Sequence, residues 1–162
     1  KADAVAQACA AADVPFVVND RVDVAAVLRR RGHDVGVHVG QGDLSPEDTR
    51  ELVGPDAIVG LSTHTSDEVD AAIDLGGVID YFAVGPVHET PTKAGRPAAG
   101  LTLVSYAAER SAETPWFAIG GIDTNNLAEV RGAGARRVVV LRAIARAADP
   151  ERAARALAEQ LR

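Results

Sequence analysis

The chain has 162 residues, of which 47% are hydrophobic and 25% charged, and it carries a net charge of −6 at neutral pH. That length and apolar fraction suffice for one packed domain, and a negative chain without long like-charge runs makes nucleic acid a poor partner. The single cysteine, Cys9, excludes a disulfide framework or a cysteine-rich zinc site and fits a reducing, cytoplasmic setting, and no apolar run reaches the ~18 residues that span a membrane.

Residues 1 to about 12 carry an alanine-rich helical pattern. The first β-branched run, residues 14–18, ends in Asn19-Asp20-Arg21-Val22-Asp23. Such a segment suits a turn capped at Asp23, and it equally offers a carboxylate just past a strand end. Arg29-Arg30-Arg31 reads as a solvated helix end, and His33 is expected on the surface. The second run, residues 35–39, holds His38, expected to be a satisfied core histidine. It passes into Gly40-Gln41-Gly42-Asp43-Leu44, whose glycines let backbone approach a ligand. Ser45-Pro46-Glu47 combines an N-cap, a proline at the first helical position and an acid in the first turn. The third run, residues 57–61, leads to Ser62-Thr63-His64, with His64 in a supporting position, and Thr65-Ser66-Asp67-Glu68 starts a helix.

The fourth run, residues 79–84, opens the longest loop, residues 85–96, which contains His88. Long loops in compact domains are usually functional. Thr90-Pro91-Thr92-Lys93 offers hydroxyls and a compact cation to an oxyanion such as diphosphate, although a solvated lysine is the plainer reading. The fifth run, residues 115–119, ends in Gly120-Gly121-Ile122-Asp123 before a helix start at residues 123–126. Adjacent glycines at a helix N-terminus form an anion site, or simply a tight turn. The last run, residues 138–141, brings Arg142 to the same mouth, and Asp149-Pro150-Glu151 opens the final helix.

Runs recurring roughly every 22 residues could indicate leucine-rich repeats, but the leucine and asparagine ladder those need is missing. Near-continuous apolar strands alternating with helices indicate α/β architecture with a parallel sheet, as a (β/α)8 barrel or an open doubly wound sheet. The polar segments follow the strands, where both folds bind ligands. Asp20 and Asp43, past neighbouring strands, suit Mg²⁺, which takes one or two carboxylates and completes its shell with water and phosphate oxygens.

In order, Asn19 to Asp23, Val37 to Leu44, Ser62-Thr63-His64, Gly85-Pro86, Thr90 to Lys93, Gly100-Leu101, Ala118 to Ile122 and Arg142-Ala143-Ile144 resemble the thiamin phosphate synthase family. The resemblance covers nearly the whole chain. It implies a TIM barrel, with residues 1–162 as a single partial domain of about six βα units whose first two strands are missing. At ~25–30 residues per unit, about 50–60 residues bearing a Gln-Leu-Arg-x-Lys-like strand would precede Lys1. It implies a Mg²⁺-dependent transferase of thiamin biosynthesis that condenses hydroxymethylpyrimidine diphosphate with thiazole phosphate and releases diphosphate by a dissociative route. Asp20 and Asp43 are then the metal ligands, and Asn19, Asp20, Ser62 and Lys93 serve the pyrimidine diphosphate, with Ser62 and Lys93 as the catalytic pair. Thr90, Thr92, Gly121 and the backbone around Leu141 and Arg142 receive the thiazole phosphate. Many relatives carry serine where Arg142 stands, and the segment from Arg29 to His33 is about one helical turn longer than the common pattern. Small molecules are the expected partners, with assembly as a homo-oligomer open. The alternatives are a thiazole tautomerase, for which both aspartates and Thr-Pro-Thr-Lys are surplus, and a non-catalytic phosphate-binding barrel.

Overall fold

The computed structural model describes residues 1–89, 97–110 and 113–162, and there each apolar run overlaps a strand, β1 and β3 running one and two residues past theirs. The strands are β1 (Phe16–Asn19), β2 (Val35–Val39), β3 (Val59–Thr63), β4 (Tyr81–Val84), β5 (Trp116–Ile119) and β6 (Val138–Val139). The helices are α1 (Ala2–Ala11), α2 (Val22–Arg30), α3 (Pro46–Val53), α4 (Ser66–Asp74), α5 (Gly100–Arg110), α6 (Leu127–Gly132), α7 (Arg142–Ala145) and α8 (Pro150–Leu161), with a 3₁₀ turn at Gly76–Val78. The architecture is α/β, with strands ordered β1-β2-β3-β4-β5-β6 in one sheet. Pairing is parallel, in register Phe16↔Val35 to Asn19↔His38, Val37↔Val59 to Val39↔Leu61, and Ala118↔Val138 to Ile119↔Val139. Among the described residues no helix is long and apolar enough to cross a membrane.

Local chemistry accounts for most boundaries. Ser45 Oγ accepts from Asp48 N–H at 3.1 Å, Thr65 Oγ1 from Glu68 N–H at 3.2 Å and Asp149 Oδ1 from Arg152 N–H at 2.9 Å, satisfying orphan donors at three helix starts. Strand β1 begins at Phe16 because α1 closes in a turn first: Asp13 has φ 53° and Val14 N–H bonds Cys9 O at 3.0 Å. Asp23 is not a cap. Helix α2 starts one residue before it, and its carboxylate instead takes two hydrogen bonds from Arg21, which hold its pKa down at about 2. Arg30 and Arg31 are exposed, as a solvated helix end requires, and Arg31 pairs with Asp3 at 2.9 Å, while Arg29 is half-buried and donates to Val35 O at 3.1 Å. His33, expected on the surface, is half-buried 3.4 Å from the same Asp3.

The chain divides into two units. The first comprises Lys1–Ser62 with Asp74–Phe82, and the second Thr63–Ile73 with Ala83–Arg162. In the first, α2 packs on β1 and β2, and Val35, Val37, Val39, Val59 and Phe82 are fully buried. Arg50 pins the start of β3: its guanidinium donates to Val78 O at 3.1 Å, Gly54 O at 3.2 Å, Ala57 O at 2.5 Å and Asp80 Oδ2 at 2.8 Å. The same Asp80 oxygen accepts Val59 N–H at 2.7 Å. In the second, α5 packs on α6, and α8 packs on α6 and α7, around buried Val84, Val104, Ala118, Leu127 and Val130. Asp70 on α4 accepts from Tyr106 at 2.8 Å and Arg110 at 3.0 Å, both on α5.

Candidate active site

In the first unit, the C-terminal ends of β1 and β2 present Asn19, Asp20 and Asp43. Asn19 is paired with His38, and Asp20 N–H donates to His38 O at 2.8 Å, carrying the ladder one residue past β1. Asp20 has φ 63°, a left-handed conformation that aspartate tolerates better than most residues and that is common where a site dictates the backbone. Asn19 and Asp20 are exposed, and the Asp20 carboxylate has no partner among the described residues. Asp43 closes a turn on Gly40, accepting its N–H on Oδ2 at 2.8 Å while its own N–H donates to Gly40 O at 3.2 Å. Both aspartates thus lie past the same ends of hydrogen-bonded neighbours, one carboxylate anchored and the other unengaged. Among the described residues no group of three or more His, Cys, Asp or Glu could hold an ion alone. A pair of hard carboxylate donors open to water and phosphate oxygens still fits Mg²⁺.

Ser62 stands deeper on β3. Alternation puts Val35, Val37 and Val39 of β2 on one face with Val59, Leu61 and Thr63 of β3, and Gly36, His38, Gly60 and Ser62 on the other. On that second face His38 Nε2 is 2.9 Å from Ser62 Oγ and His38 Nδ1 is 3.0 Å from the Tyr81 hydroxyl. His38 is therefore satisfied, as expected, but by site residues, and its ring fixes where the Ser62 hydroxyl sits. Gln41 Nε2 donates to Ser62 O at 2.7 Å and ties the Asp43 loop to the same strand. Burial, reinforced by the charge of Asp80, raises Tyr81 to about 12, so the phenol stays a neutral partner. Gly60 makes this possible: a Cβ there would lie 2.2 Å from Tyr81 Cζ. Tyr81 and Gln41 were not singled out from the sequence. The signal available was the alternation of glycine with a polar residue in both β2 and β3.

In the second unit, Gly121 and Leu141 each lie two residues past the β5–β6 pair Ile119↔Val139. Gly120 and Gly121 have φ 106° and 65°, and added Cβ atoms would come within 2.5 Å of Pro86 Cβ and 2.7 Å of His88 Cβ. Val87 and His88 N–H groups donate to Ile119 O at 2.8 Å and Gly120 O at 3.1 Å, so the start of the long loop is strapped to this turn. His64, expected in support, braces the same loop, its Nδ1 against Gly85 O and its backbone N–H on Glu68 at 2.6 Å. Helix α6 begins at Leu127 with Asn126 as its N-cap, within the helix start expected at residues 123–126. The glycines lie ahead of it, because the Asn126 amide accepts Asp123 N–H and donates to Gly121 O, both at 2.8 Å, folding residues 121–126 into a separate turn. An anion at Gly121 would meet turn N–H groups and no helix dipole. Leu141 and Arg142 stand at the start of the short α7, with Leu141 exposed. Thr90, Thr92 and Lys93 lie outside the described residues.

Comparison with known proteins bears on these strand ends. The thiamine monophosphate synthase family model matches residues 1–144. The thiamine-phosphate synthase of Thermus thermophilus is 57% identical over 148 residues, which are 91% of this chain and 68% of that protein. The one from Acidothermus cellulolyticus is 52% identical over 159 residues, covering 98% of this chain and 73% of the relative. Among solved structures, a thiamine phosphate pyrophosphorylase from Pyrococcus furiosus superposes with a TM-score of 0.81 at 32% identity, over 98% of this chain and 73% of that one.

Proposed function

The chain belongs to the thiamine monophosphate synthase family, and from that premise we propose that it is a thiamin phosphate synthase, condensing hydroxymethylpyrimidine diphosphate with thiazole phosphate and releasing diphosphate. The observation that carries the reading is the pair of aspartates past the same ends of adjacent strands, with Asp43 anchored on Gly40 and Asp20 unengaged among the described residues. A tautomerase has no use for that pair. The unbroken strand order supports a (β/α)8 barrel, and the cysteine-poor composition supports a cytoplasmic enzyme.

Asp20 and Asp43 would hold Mg²⁺, and Asn19 would hydrogen-bond the diphosphate beside them. Bound there, Mg²⁺ would neutralise charge on the departing diphosphate. Lys93 would add a second cation to the same oxygens, strongest where C–O cleavage builds negative charge. Ser62, its hydroxyl fixed by His38, would orient the pyrimidine. Thr90, Thr92, Gly121 and the backbone at Leu141 and Arg142 would hold the thiazole phosphate. Diphosphate would leave first with the C–O electron pair, and the thiazole nitrogen would then trap the pyrimidine methyl cation. The test is an Asp43→Ala variant assayed across a Mg²⁺ titration. Loss of thiamin phosphate formation, partly recovered at high Mg²⁺, is expected. Full activity of that variant in chelator overturns the metal assignment.

A further inference from the structure

We infer that the opposite end of β5 and β6 carries a second site, one that takes a compact dianion such as phosphate or a phosphomonoester. A cavity of about 320 Å³ opens there, lined among others by Glu113, Thr114, Trp116, Gly134, Arg136 and Arg137. Trp116 begins β5 and the two arginines precede β6, so this cavity sits at the strand N-termini, away from the Gly121 and Leu141 end. It contains none of the residues assigned to the reaction.

Its walls are built firmly. Gly134 has φ 104°, and a Cβ on it would lie 2.5 Å from Ala108 Cβ, so the turn after α6 approaches α5 as only glycine allows. Gly134 and Ala135 N–H groups bond Arg131 O at 2.8 Å and Val130 O at 3.3 Å, and Ala135 is buried. Ala118 N–H donates to Arg137 O at 3.0 Å, fixing the backbone between the two arginines and the sheet. Trp116 is only 8% exposed and forms a rigid apolar wall.

Charge indicates the ligand. Neither Arg136 nor Arg137 has an ion pair or side-chain hydrogen bond among the described residues, in a chain whose net charge is −6. Arg136 and Arg137 are exposed and both line the cavity, and two guanidinia brought to one anion there would match the charge and fork geometry of a phosphate dianion. Glu113, which also lines the cavity, would oppose a larger polyanion such as diphosphate, which separates this site from one that binds the leaving group.

The lone tryptophan of the chain is Trp116, so intrinsic fluorescence reports on this cavity alone. Inorganic phosphate titrated at constant ionic strength should produce a saturable emission change. In an R136Q/R137Q protein of unaltered melting temperature, that change should weaken at least tenfold, while E113Q should strengthen it. The inference is overturned by a response that is absent, that chloride or acetate reproduces at matched ionic strength, or that persists in R136Q/R137Q.

Discussion

Replacing Gly60 by alanine perturbs the site without touching any group expected to meet substrate. The new Cβ would lie 2.2 Å from Tyr81 Cζ and 2.5 Å from its Cε1 and hydroxyl oxygen. Carbon atoms rest comfortably at ~3.5–4.0 Å, so the ring must retreat by about 1.3 Å or more. That retreat breaks the 3.0 Å contact with His38 and frees the histidine that positions Ser62. Overpacking costs ~1–3 kcal/mol and the lost hydrogen bond ~1 kcal/mol, offset by up to ~1 kcal/mol from the stiffer unfolded chain. The net is about 2 kcal/mol, or about 4–8 °C in melting temperature for a chain of this size. Gly77→Ala, with nothing within 4 Å of the added carbon, should stay within about 0.5 kcal/mol. Urea denaturation with near-ultraviolet circular dichroism would measure both. A Gly60→Ala protein with unaltered midpoint and tyrosine signal would refute the packing account of the His38–Tyr81 contact.

Other consequences follow from individual groups. Arg50→Ala removes the donor that Val78 O and Ala57 O share and leaves Asp80 with only the Val59 N–H, so chemical denaturation should show a loss of about 2–3 kcal/mol, with lysine recovering less than half because it lacks the fork. Tyr81 is raised from 10 to about 12, so its contribution to stability is whole below pH 10 and disappears as pH climbs through about 12. Denaturation midpoints should fall across that window, and Tyr81→Phe should remove its part of the slope. Lys93→Ala should lower kcat by about 10²-fold, near 3 kcal/mol, with little change in KM. A rise in KM alone would show that Lys93 binds the ground state.

Much of this site is legible locally. Strand β2 has the limits read from its apolar run, and Ser45 and Asp149 cap helices as their proline-led starts require. Asp20 and Ser62 stand out as polar residues just past apolar runs, and Asp43 as an acid on the glycine turn that follows one. What depends on distant partners is not legible. His38 and Tyr81 are 43 residues apart, and nothing near Gly60 announces that a tyrosine ring lies over it. Arg50 reads as an ordinary helix-surface arginine until the fold brings the Val78 carbonyl and Asp80 against it. The start of α6 is legible too, with Asn126 of the cap-rich segment 123–126 as its N-cap, but the turn that Asp123 and Asn126 form between themselves is not.

The most direct test of the account is turnover by the purified protein. Given hydroxymethylpyrimidine diphosphate, thiazole phosphate and Mg²⁺, it should release thiamin phosphate and diphosphate in equal amounts, with neither formed when the thiazole phosphate is omitted beyond slow hydrolysis. Binding of both substrates without thiamin phosphate, or product formation undiminished in chelator, would contradict it.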